Sequence, residues 1–380
     1  MEVYLDNAAT SKAFDEVIEL CGKVMRTDYG NPSSLHNKGL DAEHYIRDSK
    51  DIIAKILKCN PKEIIFTSGG TESNNTAIIG AARAKVRRGK HIITSSVEHA
   101  SVKNVTEFLK NDGYEITYLP VDSKGIVDLN VLRDSIREDT VLISIMGVNN
   151  EVGAVEPLEE IANVIRQSGQ DILFHVDAVQ MYGKLPINPK KMGIDLMSVS
   201  GHKLHGPKGT GFLYVRDGVR ILPLIYGGNQ QSGMRSGTEN VPGIAGLGLA
   251  SKIVYDSLDE TMKRMSNLKE SFREMISDIP DIKDNSGDAP HIVSITFAGV
   301  RSEVLLHALE DKGIYVSSGS ACSSNKPELS NTLINMGVDN DAAESTLRFS
   351  LSRYTTEEEL RYTADAVKEL LPMLRRFTRR

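Results

Sequence analysis

Short apolar runs alternate with longer stretches of helical periodicity over most of the chain. The runs Ile64–Thr67, His91–Ser95, Ile116–Val121, Val141–Met146, Ile172–Val176, Leu196–Val199 and Gly211–Val215 predict strands. Amphipathic stretches predict helices at Leu40–Leu57, Ser73–Arg88, Ala100–Asn111, Leu129–Ile136 and Leu158–Ser168. Asn60-Pro61 stops the first of these. Strands alternating with helices imply an α/β fold: a mostly parallel, seven-stranded sheet with helices on both faces. After about Gly248 the texture changes. A long charged helix is expected over Ala250–Ile279, then a strand Ile292–Phe297, a helix Glu303–Lys312 and a final helix Glu357–Arg375. This reads as a large domain over residues 11–250 and a smaller α+β domain over 251–380, with residues 1–10 packing near the latter.

In an open α/β sheet the ligand site lies beyond the carboxyl ends of the strands. Two tetrapeptides fall there: Asp177-Ala178-Val179-Gln180 and Ser200-Gly201-His202-Lys203. A lysine after a strand is ordinarily a surface residue. A lysine placed in a site needs a chemical reason, because a buried ammonium is costly unless it is paired or neutralised. A Schiff base with pyridoxal phosphate is one such reason, and an aspartate then serves the pyridine nitrogen.

Strand Ile64–Thr67 runs directly into Ser68-Gly69-Gly70-Thr71-Glu72 and a helical stretch. A glycine turn entering a helix offers backbone N–H groups and a positive dipole end to a phosphate. It lacks the Gly-Lys-Ser/Thr of a nucleotide loop and the spacing of a dinucleotide fingerprint. A plain glycine turn, with Thr71 or Ser73 as helix cap, would look the same. Ser200 and His202 could donate to the same phosphate. His99 could stack on a flat ring and shuttle protons. Asn150 and Gln180 could hydrogen-bond a phenolic oxygen. Any one of these is by itself a common cap or turn residue. Their recurrence at separate strand ends argues for a site.

The bulk properties narrow the class. The 380 residues carry a net charge of -6, so no basic field favours nucleic acid or anionic membranes. No apolar segment reaches the roughly 18 residues of a membrane helix, and no secretory leader is evident. Cys21, Cys59 and Cys322 are widely spaced, which argues against a disulfide framework or a zinc site and suits a reducing cytoplasm.

The motifs taken together resemble the NifS/IscS-type cysteine desulfurases, enzymes of the class V aminotransferase group with the type I fold of PLP-dependent transferases. The matching pieces are Tyr4–Thr10, Gly30–Ser34, Thr67–Asn74, Glu98-His99, Val148–Glu151, His175–Ala178, Ser198–Lys203, Arg235–Asn240, Ser317–Cys322 and Arg348–Ser352. They run in family order across nearly the whole chain. The resemblance implies that Lys203 bonds pyridoxal 5'-phosphate, that Asp177 pairs with its ring nitrogen, and that His99 stacks on the ring. It gives Asn150 and Gln180 to the phenolic oxygen, and Thr71, Ser200 and His202, with the Gly70 backbone, to the phosphate. Thr238 is expected to reach the phosphate in a neighbouring subunit, which implies a homodimer. Arg348 is expected to clamp the carboxylate of L-cysteine, assisted by Asn31 and Asn150.

The segment Ser317–Lys326 is small and polar with one cysteine, Cys322. An unreactive cysteine usually sits among apolar neighbours; Cys322 has only Ala321, so a reactive thiol is favoured. Cys21 and Cys59 lie in or beside amphipathic helices and are expected to pack in the core. Fourteen residues separate Cys322 from Gly337, which resembles the long-loop group of the family. The implied reaction yields L-alanine and a persulfide on Cys322, passed to an acceptor such as an iron–sulfur scaffold or a tRNA-thiolation protein. A selenocysteine lyase, a transaminase of the same group and a non-catalytic scaffold are the alternatives.

Overall fold

The computed structural model describes residues 1–318 and 329–378. In chain order the strands are β1 (Val3–Tyr4), β2 (Ile64–Thr67), β3 (His91–Ser95), β4 (Glu115–Leu119), β5 (Thr140–Met146), β6 (Leu173–Asp177), β7 (Leu196–Ser200), β8 (Gly211–Val215), β9 (Ile282–Asp284), β10 (Ile292–Phe297), β11 (Ile314–Tyr315) and β12 (Thr346–Ser350). A seven-stranded sheet has the order β2-β8-β7-β6-β5-β3-β4. The run from β7 to β4 is parallel, and β8 is antiparallel to both β7 and β2.

Strands β5, β6 and β7 are buried along their whole length, which is why they read as continuous apolar runs rather than alternating ones. The pleat sends alternate residues to two cores. Along β8, Phe212 and Tyr214 join the cluster on one face of the sheet, while Leu213 joins the other with Ile78, Ile92 and Leu142. Each such large side chain contributes roughly 1.5–3 kcal/mol on burial. Cys21 and Cys59 pack against the first of these clusters, partly buried.

The chain steps outward from β3 to β4, then returns to the opposite side of β3 with β5. That reversal opens a crevice beyond the carboxyl ends of β3 and β5, where a ligand finds backbone that no crossover covers.

A second, three-stranded antiparallel sheet has the order β12-β10-β9. Its core gathers Phe272, Val293, Phe297, Leu305, Phe349 and Leu371, together with Val3 and Leu5 from the start of the chain. β1 pairs with β11 in parallel, Val3 opposite Ile314, as a separate two-stranded sheet, and a bridge from Asp6 to Ser350 joins residues 1–10 to β12.

Two helices depart from the sequence pattern. The one expected over Ser73–Arg88 is Gly70–Ala84, because it starts at the glycine turn and ends where residues 85–88 turn back. The single helix expected over Ala250–Ile279 is two, Val241–Asp256 and Leu258–Ile276. Ser257 breaks it at φ -134°, ψ 27°. Arg353, remote in sequence, donates there to the Ile253 carbonyl at 3.4 Å and to Ser257 Oγ at 3.1 Å. No helix among the described residues is long and apolar enough to cross a membrane.

Candidate active site

A cavity of about 290 Å³ opens at the reversal of the sheet, and its wall includes Gly70, Thr71, His99, Asn150, Asp177, Gln180, Ser200, His202, Lys203 and Arg348. The strand ends put them there. Thr71 follows β2, His99 follows β3, Asn150 follows β5, Asp177 ends β6, and Ser200 ends β7.

The turn after β2 supplies Gly70 and Thr71 to the cavity wall. Gly69 has φ 149°, which strongly favours glycine, and it caps the helix Gly70–Ala84 without a side-chain bond. A Cβ on Gly70 would lie 2.6 Å from Val179 Cγ2, so the close approach of turn and Val179 requires glycine. The first-turn N–H groups of that helix have no intrahelical acceptor. Neither Thr71 nor Ser73 caps it; Ser73 Oγ instead lies 2.8 Å from Thr67 Oγ1. Burial and the neighbouring Lys203 pull His202 down to about 4, so its ring is neutral near pH 7. Its Nδ1 lies 3.2 Å from Thr10 Oγ1, which leaves Nε2 for another partner.

Asp177 is 5% exposed. Its Oδ1 accepts from Val179 N at 3.0 Å and its Oδ2 from Asn74 Nδ2 at 2.7 Å. Asn74 Nδ2 also donates to Ser101 Oγ at 2.8 Å. Ser101 Oγ lies 2.9 Å from His99 Nδ1, which accepts from Ser101 N at 3.1 Å. A continuous polar chain therefore runs from His99 through Ser101 and Asn74 to Asp177. With Nδ1 an acceptor, the neutral His99 ring carries its hydrogen on Nε2. Beneath it, Glu98 Oε1 accepts from Ser95 Oγ and Met146 N at 2.7 and 2.9 Å, tying the ends of β3 and β5 together. Burial, reinforced by Asp177 and Glu156, pushes the Glu98 carboxyl up to about 8, so it is mostly protonated at neutral pH. Asn149 Oδ1 accepts from the N–H groups of Glu151 and Val152 at 2.8 and 3.0 Å, which shapes the turn that presents Asn150. Gln180 is held from both sides: Nε2 donates to the Ala8 carbonyl at 2.8 Å, and Oε1 lies 3.3 Å from His291 Nε2.

Lys203 Nζ donates to the carbonyls of Ala8 and Ala9, both at 2.7 Å. Across the cavity, Arg348 on β12 is 4% exposed. Its guanidinium donates to Asp6 Oδ1 at 2.7 Å and to the Asn150 carbonyl at 2.9 Å, and its Nε has no partner among the described residues. A planar fork so held leaves further N–H groups for a carboxylate.

The chemistry of this donor set fits pyridoxal phosphate. Among the described residues the buried Asp177 has hydrogen-bond donors but no cationic partner, so a protonated ring nitrogen would complete it. The turn after β2, with Thr71, Ser200 and His202, offers donors to a phosphate, and Lys203 lines the same cavity.

Two expected residues are elsewhere. Asn31 and Thr238 are exposed and are not part of the cavity wall. Asn31 Oδ1 accepts from Ser33 N at 2.9 Å, in the manner of a turn residue. Cys322 lies outside the described residues. Asn74, Ser101 and Asp6 are site residues that periodicity does not expose; for Asn74 and Asp6 the one signal is their place inside the Thr67–Asn74 and Tyr4–Thr10 matches. No group of metal-ligating side chains occurs among the described residues.

Residues 3–362 match the family described as Aminotransferase class-V. The chain is 45% identical over 378 residues to the cysteine desulfurase IscS of Dictyoglomus turgidum, covering 98% of this chain and 95% of that protein. It is 43% identical over 376 residues to the cysteine desulfurase IscS of Methanosarcina thermophila, covering 98% and 93%. A solved structure described as a NifS-like protein superposes with a TM-score of 0.93 at 38% identity, covering 98% of this chain and all of that one. Another, described as SspA in complex with cysteine, superposes with a TM-score of 0.81 at 36% identity, covering 93% and 100%.

Proposed function

The chain belongs to the class V aminotransferase family, and from that premise we propose which of its residues carry its reaction. The reaction is the pyridoxal-phosphate-dependent removal of sulfur from L-cysteine, with transfer of that sulfur to an acceptor. When bound, the cofactor supplies an aldehyde carbon for a lysine and a pyridinium ring that accepts the electron pair left as the substrate loses its α-proton.

Lys203 would hold the cofactor and, as a free amine, would take the α-proton of the substrate. Asp177 keeps the ring nitrogen protonated, and Asn74 orients its carboxylate. The Gly70 backbone, Thr71, Ser200 and His202 bind the phosphate; Asn150 and Gln180 bind the phenolic oxygen. His99 stacks on the ring and carries a proton on Nε2. Arg348 binds the substrate carboxylate, with Asn31 and Asn150 assisting. The Cys322 thiolate then attacks the substrate sulfur. A sulfur–sulfur bond forms as the carbon–sulfur bond breaks, and the carbon fragment takes up protons to leave as alanine. A thiol of pKa about 8.5 is only slightly ionised near pH 7, so a base such as His99 assists. The persulfide passes to an acceptor protein, an iron–sulfur scaffold or a thiolation protein.

Thr238 serves the phosphate of a second copy of the chain, which makes the enzyme a homodimer. Its exposure, away from its own cavity, supports that reading. Residues 11–250 form the cofactor domain, and 251–380 with 1–10 form the smaller one; the separate core around β10 and β12 supports that division. A cytoplasmic location accords with the widely spaced cysteines.

The observation that carries the assignment of roles is the lysine, the uncompensated aspartate and the anion-ready turn converging on one cavity. Incubation with L-cysteine followed by peptide mass spectrometry tests it. Added sulfur should appear on the Cys322 peptide, and Cys322→Ala should keep its cofactor yet transfer none. Undiminished sulfur transfer by that variant would remove Cys322 from the mechanism.

A further inference from the structure

Lys184 sits behind Lys203, in the turn after β6, and is 7% exposed. Its ammonium donates to the main-chain carbonyl of Lys203 itself, at 2.6 Å. The small space beside it is walled by Asn7, Ser11, Leu204, His205 and Arg353 as well as Lys203, with no carboxylate. The titratable and charged groups that face it are Lys203, His202, His205, His291 and Arg353, all of them basic. An unpaired buried ammonium is costly, and a hydrophobic side chain of similar length would fill the same space at less cost. None of the roles above uses this residue.

We propose that Lys184 is a positioning residue that sets a positive charge against Lys203 and so lowers the proton affinity of the Lys203 nitrogen. A lysine acts as a base only when unprotonated, and a neighbouring cation is one of the few ways a protein achieves that near neutral pH. The α-proton of the substrate then moves to a nitrogen already freed of its own. The hydrogen bond ties the Lys184 ammonium to the backbone of the residue it acts on. Burial and Lys203 bring Lys184 itself down to about 7, so its charge, and with it the effect on Lys203, is present below that pH and lost above it.

The inference rests on Lys203 being the residue that bonds the cofactor. Lys203→Ala checks that premise by itself, since the visible absorption band of the lysine-bound cofactor must vanish. With that secured, the visible band of the holoenzyme is titrated against pH in wild type, Lys184→Met and Lys184→Arg. Lys184→Met should raise the titration midpoint by about one unit, a tenfold gain in proton affinity. Lys184→Arg, which keeps the charge, should titrate at or below the wild-type midpoint. An unchanged midpoint in Lys184→Met would overturn the proposal even if turnover fell, because that result means only structural support. Should Lys184→Met fail to fold, a midpoint above wild type in Lys184→Arg overturns it equally.

Discussion

β3 has a histidine at each end of its reach, and the two live in different chemical conditions. His91 opens the strand at the amino edge of the sheet. Its ring nitrogens lie 2.7 Å from Thr140 Oγ1 and 2.8 Å from Thr117 Oγ1, so both are satisfied by hydroxyls on adjacent strands. His99 follows the strand at the carboxyl edge, on the wall of the cavity. Around it the polar valence is incomplete: Asn74 Oδ1, Glu98 Oε2 and Arg348 Nε are buried without partners among the described residues. Buried polar groups are normally paired, and leaving one unpaired costs on the order of 1–3 kcal/mol. The amino edge is closed upon itself, while the carboxyl edge holds open places for something else. Residue type does not separate the two edges; unfilled hydrogen-bonding capacity does.

Three substitutions test that contrast. The largest effect is expected for Asp177→Ala. Removing one partner of a buried charge pair costs about 3–5 kcal/mol, so kcat/KM for L-cysteine should fall by roughly two to nearly four orders of magnitude in protein saturated with cofactor. Near-native turnover would show that the carboxyl edge is not held open for a cation. Next comes Asn74→Ala, which cuts the chain between His99 and Asp177. A hydrogen bond to a charged group is worth about 1.5–3 kcal/mol, which predicts a ten- to hundredfold drop in kcat with the cofactor still bound. The smallest effect on activity is expected for His91→Ala: turnover unchanged, but urea unfolding easier by about 1–3 kcal/mol, as the buried Thr140 hydroxyl and the half-buried Thr117 hydroxyl lose the histidine. If His91→Ala slowed turnover as much as Asn74→Ala, the two edges would not differ in the way described.

The sheet was largely legible from the chain. Its strands are short buried runs bounded by polar turns, and β2, β3 and β8 fall where the pattern puts them. Cavity residues at strand ends, such as Asp177 and Lys203, were legible for the same reason, since a parallel sheet delivers its carboxyl ends to one place. What escaped depends on contacts between distant segments. The break at Ser257 is filled by Arg353, nearly a hundred positions away. Asp6 becomes a site residue only through Arg348, and Lys184 only through the carbonyl of Lys203. Short pairings such as β1 with β11 carry too few residues to leave a periodic signature.

The strip Leu5–Ala9 has a bearing on how the enzyme is made. Ala8 N donates to Ser350 Oγ at 2.8 Å, and Ser350 N donates to the Leu5 carbonyl. Residues 5–9 thus wait for partners more than 300 positions later in the chain before they can wall the cavity. The sheet can form earlier, from segments close together in sequence, but a nascent chain short of β12 has a lysine at the right strand end and no carbonyls of Ala8 and Ala9 fixed beside it. Formation of the pocket is thereby coupled to synthesis of β12, and a product that stops before that strand lacks the Ala8 and Ala9 carbonyls fixed beside Lys203.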